Sequence, residues 1–210
     1  SNSCNSQYEK QESILKNSAA VQTNPIKLYQ EKHPDNFGKS QSLGSVGKGS
    51  LVNGKLMPFS GSNFFYFDTT SYLSGRAFIN EKVKSLCLEV YDSLNILLPE
   101  RKFGIMECSN EKGGKLQPHF THQNGLSVDF MSPQKSNDSA NYELDYTGIQ
   151  HYFLDYTEEG CYTKKESICI DFDAMALHIL TVHQLAHKHR LKINKIILKL
   201  NLIDNLFASK

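Results

Sequence analysis

The chain has 210 residues, long enough for one domain that buries a core without help from cross-links. Its 23 basic and 22 acidic residues leave a formal net charge of +1, so the electrostatic footprint of a nucleic-acid binder is missing and no nucleic-acid partner is expected. No apolar run approaches the ~18 residues of a membrane span. None of the cysteines Cys4, Cys87, Cys108, Cys161 and Cys169 forms a C-x-x-C pair, which excludes a zinc ribbon.

Residues 1–40 are rich in Ser, Asn, Gln and Lys and poor in large apolar side chains, which predicts a flexible tether with one marginal helix over residues 11–20. Ser1 opens the chain in place of Met, so an upstream segment is expected to have been removed, and Cys4 offers a position for a lipid anchor. Residues 42–51 lack the G-x-x-x-x-G-K-[ST] spacing of a phosphate cradle and read as a structural glycine-rich loop. The aromatic run Phe64-Phe65-Tyr66-Phe67 predicts a strand in the core, since no basic residues are interleaved for base stacking. A helix follows over residues 80–98, capped by Asn80 and stopped by Pro99, with Val83, Leu86, Cys87, Val90, Tyr91, Leu94 and Leu97 on one side.

Residues 102–108 read as a strand with Phe103, Ile105 and Met106 inward, and 110–117 as a Gly-Gly loop. Leu126, Val128 and Phe130 alternate with Ser127, Asp129 and Met131, the period of a strand with the first set on a core. The polar stretch 132–147 reads as a cleft wall or a mobile surface loop, and 151–156 as a strand or a helical turn. A hairpin through residues 158–160 follows, and a short loop brings Cys161 and Cys169 within reach of a disulfide. Cys87 reads as a small buried hydrophobe or a bridge partner. The chain then predicts a helix over 173–190, a strand over 192–200 and the start of a helix at Ile203.

Chemistry concentrates between His119 and Asp129. The Asn124-Gly125 turn leads the chain back toward the strand, so His122 and Asp129 can converge on one ion. Imidazole nitrogen and carboxylate oxygen are ordinary zinc ligands, at about 2.0–2.2 Å. The same residues beside a turn also serve as a cap or a surface pair.

Thr121-His122-Gln123-Asn124-Gly125-Leu126-Ser127-Val128-Asp129 resembles the S/T-H-Q-x-G-L-x-x-D signature of the penicillin-insensitive murein endopeptidases. These belong to the zinc peptidase group of lysostaphin, D-Ala-D-Ala peptidases and hedgehog domains. Gly113-Gly114, Pro118-His119 and the Ser42-Leu43-Gly44-Ser45 opening fall where that family carries a Gly-Gly loop, an extra His and a Ser-x-Gly-Ser. The resemblance implies an α+β domain over residues 41–210, with a small, mainly antiparallel sheet flanked by helices, like hedgehog and D-Ala-D-Ala peptidases. It implies a zinc cofactor held by His122 and Asp129, with His119 as a catalytic neighbour that orients substrate or handles protons. Peptidoglycan stem peptides would be the partner, in the bacterial cell envelope, periplasmic or lipid-anchored, and cleavage of peptide cross-links the activity. The alternatives are a D-alanyl-D-alanine carboxypeptidase and a non-catalytic peptidoglycan-binding or regulatory module.

The family's third ligand is the second His of a His-x-His on a strand. His187-Lys188-His189 falls on a predicted helix, where residues two apart point nearly opposite ways. The third ligand is therefore expected beyond Lys210, on a strand that this chain lacks. His183 and His187 share a helix face, and with His178 and His33 they read as structural.

Overall fold

The computed structural model describes residues 24–35 and 38–209; Cys4 and the helix expected over 11–20 lie outside them. In chain order the elements are α1 (Pro25–Lys32), β1 (Gln41–Ser45), β2 (Lys48–Val52), β3 (Lys55–Leu56), β4 (Phe64–Tyr66), α2 (Thr69–Leu73), β5 (Phe78–Ile79), α3 (Glu81–Leu97) and β6 (Phe103–Ile105). Then come β7 (Gln134–Ser136), β8 (Ser139–Asn141), a 3-10 helix (Gly148–Phe153), β9 (Cys169–Ile170), α4 (Phe172–Lys188), a second 3-10 turn (Leu200–Leu202) and α5 (Ile203–Phe207). The expected α+β mixture is present, but its strands form several small sheets. β1–β2, β3–β5 and β8–β7–β9 are antiparallel, and β4–β6 is parallel.

α3 forms where its cap and its apolar stripe coincide. Asn80 accepts a hydrogen bond from the Lys82 amide at 3.0 Å, satisfying a free helix N–H, and Leu86, Cys87, Val90, Tyr91 and Leu94 then recur at helical spacing on the buried face. α4 is capped by Asp171, which accepts from the Ala174 amide at 3.1 Å, and packs on α3; Ala186 joins the main core, and Met175 a second cluster with Ile170 and Leu202. The core between them is aromatic: Tyr91 stacks on Phe64 with ring centroids 4.8 Å apart, and Tyr66 and Tyr72 are buried behind β4. Each such side chain contributes about 1.5–3 kcal/mol by leaving water.

Several expectations are corrected. Residues 42–51 are not an irregular glycine loop but belong to the β1–β2 hairpin, because Gly44 takes a positive φ of 70° and its ladder pairs Gln41 with Val52 through to Ser45 with Lys48. Within the arm expected over 1–40, α1 docks on the core through Ile26 and Tyr29. Residues 192–199 form no strand: their β-branched composition finds no partner edge, and Ile196 and Ile197 are exposed. The polar stretch 132–147 folds partly as the β7–β8 hairpin, and residues 148–153 take the helical-turn option. Cys161 and Cys169 form a disulfide, whereas Cys87 is free and buried.

Candidate metal centre

The backbone beyond β6 sets up the site. Residues 128–131 lie antiparallel to it: the Met106 amide donates to the Asp129 carbonyl at 2.7 Å, Asp129 to Glu107 at 3.0 Å and Met131 to Gly104 at 3.0 Å. These bonds hold Glu107 and Asp129 on neighbouring segments. The expected face of this strand is corrected, however. Leu126 and Phe130 are exposed, while Met131 is buried and Val128 packs on the core; the two are three apart, so residues 126–131 follow no strand alternation and pair with β6 only through an isolated bridge of Phe130 to Ile105.

The histidine loop is seated on the β1–β2 hairpin and the Gly-Gly loop. The Gln123 amide donates to the Val46 carbonyl at 3.0 Å, and that of Gly114 to the Gln123 carbonyl at 2.9 Å. A Cβ at Gly113 would lie 2.3 Å from the Gln123 oxygen, so only glycine lets these two backbones approach. His122 itself sits at φ 68°, a left-handed conformation that is costly for most side chains but tolerated better by His. That conformation sends its ring inward, where Nδ1–H donates to the Cys108 carbonyl. A carbonyl can only accept, so the proton of neutral His122 resides on Nδ1 and Nε2 is bare.

The bare Nε2 faces Asp129 Oδ1 at 3.1 Å, and His119 Nδ1 lies 3.6 Å from Asp129 Oδ2. The candidate ligand atoms of His119, His122 and Asp129 all fall within 4.8 Å of one another. On its far side His119 Nε2 meets Glu107 Oε2 at 2.6 Å. Glu107 also accepts from Ser71 Oγ at 2.9 Å, from Arg76 Nη2 at 2.8 Å and from Arg76 Nε. Burial alone pushes this carboxyl up, but the hydrogen bonds from His119, Arg76 and Ser71 and the Arg76 charge outweigh it and hold the group down at about 2. Tyr152, on the first 3-10 helix, donates from its hydroxyl to Asp129 Oδ2 at 3.1 Å. Burial, then the negative charges of Asp129 and Glu107, push its phenol up, so it remains a donor.

The structure thus brings His119, His122 and Asp129 together and leaves the other histidines elsewhere. His189 pairs with Glu89 of α3, and His183 and His187 face solvent. His178 is buried among the rings of Tyr91, Phe103 and Phe130, and His33 Nδ1 meets the Tyr29 carbonyl at 2.8 Å. Sequence reading missed Ser71, Arg76, Glu107 and Tyr152. Only Glu107 left a trace, as a lone charge in the apolar run Ile105-Met106-Glu107-Cys108. No protein-family model matches the chain, and no curated protein matches it either.

Proposed function

We propose that the chain carries a divalent-metal centre, zinc by preference, and acts as a metallopeptidase on the peptide cross-links of bacterial peptidoglycan. The observation that carries the metal centre is the convergence of three donor atoms that offer lone pairs to one another. With His122 neutral its Nε2 carries no hydrogen, and a cation shared with Asp129 Oδ1, 3.1 Å away, then joins the two acceptors. Ligand atoms around a tetrahedral zinc lie roughly 3.3 Å apart for bonds of about 2.0–2.1 Å, and the 3.1 Å between His122 Nε2 and Asp129 Oδ1 suits such an ion, with His119 Nδ1 3.6 Å from the other carboxylate oxygen. Two imidazoles and a carboxylate are also the ligand number of a catalytic site that keeps one position open. His119 then serves as the third donor within the described residues, a role assigned above to a strand beyond Lys210.

Zinc, when bound, supplies a water acidified to a pKa of about 7 and a Lewis acid for a carbonyl oxygen. Asp129 keeps one oxygen on Tyr152, which holds the carboxylate in orientation, and Phe120, 92 % exposed beside His119, offers apolar surface at the rim. The substrate class, the hedgehog-like fold and a cell-envelope location rest on the murein endopeptidase resemblance of residues 121–129.

The test is direct. Chelator-stripped protein dialysed against zinc is expected to retain one ion per chain, and His122→Ala or Asp129→Ala to weaken binding by more than about 100-fold. A folded chain that retains no zinc would sink the reading. Digestion of purified cross-linked muropeptides should then release monomers. Release of D-alanine alone would mark a carboxypeptidase, and sacculus binding without any product would mark the non-catalytic module.

A further inference from the structure

We infer that Glu107 is a positioning residue that selects which nitrogen of His119 faces the metal. The inference rests on the metal-centre reading above and adds to it a residue from the segment just beyond β6. Every contact of the Glu107 carboxylate brings a donor to it. Oε1 takes Ser71 Oγ at 2.9 Å and Arg76 Nε, and Oε2 takes Arg76 Nη2 at 2.8 Å and His119 Nε2 at 2.6 Å.

A carboxylate held by a guanidinium fork can serve its remaining neighbour only as an acceptor. Neutral His119 therefore carries its one proton on Nε2, and Nδ1, the atom turned to Asp129, is left bare. Glu107 does for His119 what the Cys108 carbonyl does for His122. The two rings use opposite nitrogens because their outer partners lie on different sides.

The same Arg76 also fixes where the ring sits. Its Nη2 donates to the Gln117 carbonyl at 2.6 Å, two residues before His119, so one guanidinium pins both the carboxylate and the turn that presents the ring. Tyr152 meets the His119 ring edge-on at a centroid distance of 5.5 Å, and Tyr66 backs Ser71 through its hydroxyl at 3.2 Å. An outer carboxylate of this kind typically changes metal affinity by about 10–100-fold through the ligand it orients.

The experiment reads the tautomer in metal-free protein. Imidazole nitrogens of 15N-labelled chain are recorded by long-range proton–nitrogen correlation at a pH of about 8, where free histidine is neutral, and His119 is assigned by its loss in His119→Gln. The expected result is a protonated Nε2 and a bare Nδ1. In Glu107→Leu no acceptor faces Nε2, so the ring is no longer held to one tautomer, and zinc affinity, measured by chelator competition, falls about 10–100-fold.

A parent protein with Nδ1 protonated would overturn the inference, and that measurement stands even where Glu107→Leu does not fold. A folded Glu107→Leu with unchanged tautomer and zinc affinity would overturn it too. Parent protein with a bare Nδ1 that takes up no zinc would instead overturn the metal centre, so the two failures are told apart.

Discussion

Two carboxylates in this molecule are buried to the same degree and end in opposite electrostatic states. Glu107 is 4 % exposed and is held down at about 2, whereas Asp145 is 5 % exposed and is pushed up to about 6. Around Glu107 stand Ser71, Arg76 and His119 with their donors aimed at it. For Asp145, burial dominates and the Arg101 charge offsets it only in part, because that guanidinium is committed to the Gln134 carbonyl at 2.8 Å and to Asp171 at 3.0 Å. Asp145 Oδ1 and Arg101 Nε have no hydrogen-bond partner among the described residues. His178, across the core, shows the same deficit: its Nε2 is unpartnered and burial pulls the ring down to about 4. Burial therefore does not decide the charge of a side chain here; the donors and acceptors that accompany it do.

The comparison breaks most sharply at Glu107. Glu107→Ala leaves Arg76 beside a void and deprives His119 and Ser71 of their acceptor, so a loss of about 3–5 kcal/mol in denaturant unfolding is expected. A loss below about 1 kcal/mol would show that Arg76 finds water instead.

His178 is the next test. Its folded pKa lies below the ordinary value of 6.5, so unfolded chain binds the extra proton first and stability is lost as pH falls from about 6.5 to 4. The full loss is worth about 3 kcal/mol. His178→Phe keeps a ring among Tyr91, Phe103 and Phe130 and removes the unpartnered nitrogen. Its stability at pH 7 is expected within about 1 kcal/mol of the parent, and to rise as pH falls from 6 to 4, since the gain through Asp145 is then unopposed. An unchanged pH profile would place the proton uptake elsewhere.

How far the sequence reached follows the same physics. α3 was legible because a cap, Asn80, and a long apolar stripe are local signals; α4 was legible by its stripe alone, and its cap, Asp171, came from the structure. His122 and Asp129 were legible because the Asn124-Gly125 turn joins them within a few residues. Glu107 meets Arg76 across 31 positions and His119 across 12, and no spacing rule reaches so far. The segment 192–199 misled for the converse reason. β propensity describes a residue's fit to a sheet, and no strand lies beside this one to receive it. His178, read as structural, is so: it lies in the core among Tyr91, Phe103 and Phe130, although periodicity alone does not reveal its unpartnered nitrogen.

The smallest effect expected is also the one of opposite sign. Because the folded pKa of Asp145 is raised from 3.8 to about 6, its contribution to stability is fully present below 3.8 and is lost as pH rises through 6. Acidification from pH 6 to 4 thus returns through Asp145 much of what it removes through His178, and the parent is expected to show a nearly flat profile there. Glu107 adds its own loss only as pH falls from 4.5 toward 2. Asp145→Asn removes the cost of burying a charge that Arg101 only partly offsets. Thermal unfolding at pH 7 should show a gain of about 1–2 kcal/mol, together with a steeper decline between pH 6 and 4 as His178 goes unopposed. A destabilised Asp145→Asn whose profile between pH 6 and 4 declines no more than the parent's would mean that Arg101 holds this carboxylate as firmly as Arg76 holds Glu107, and the two sites would then differ in geometry alone.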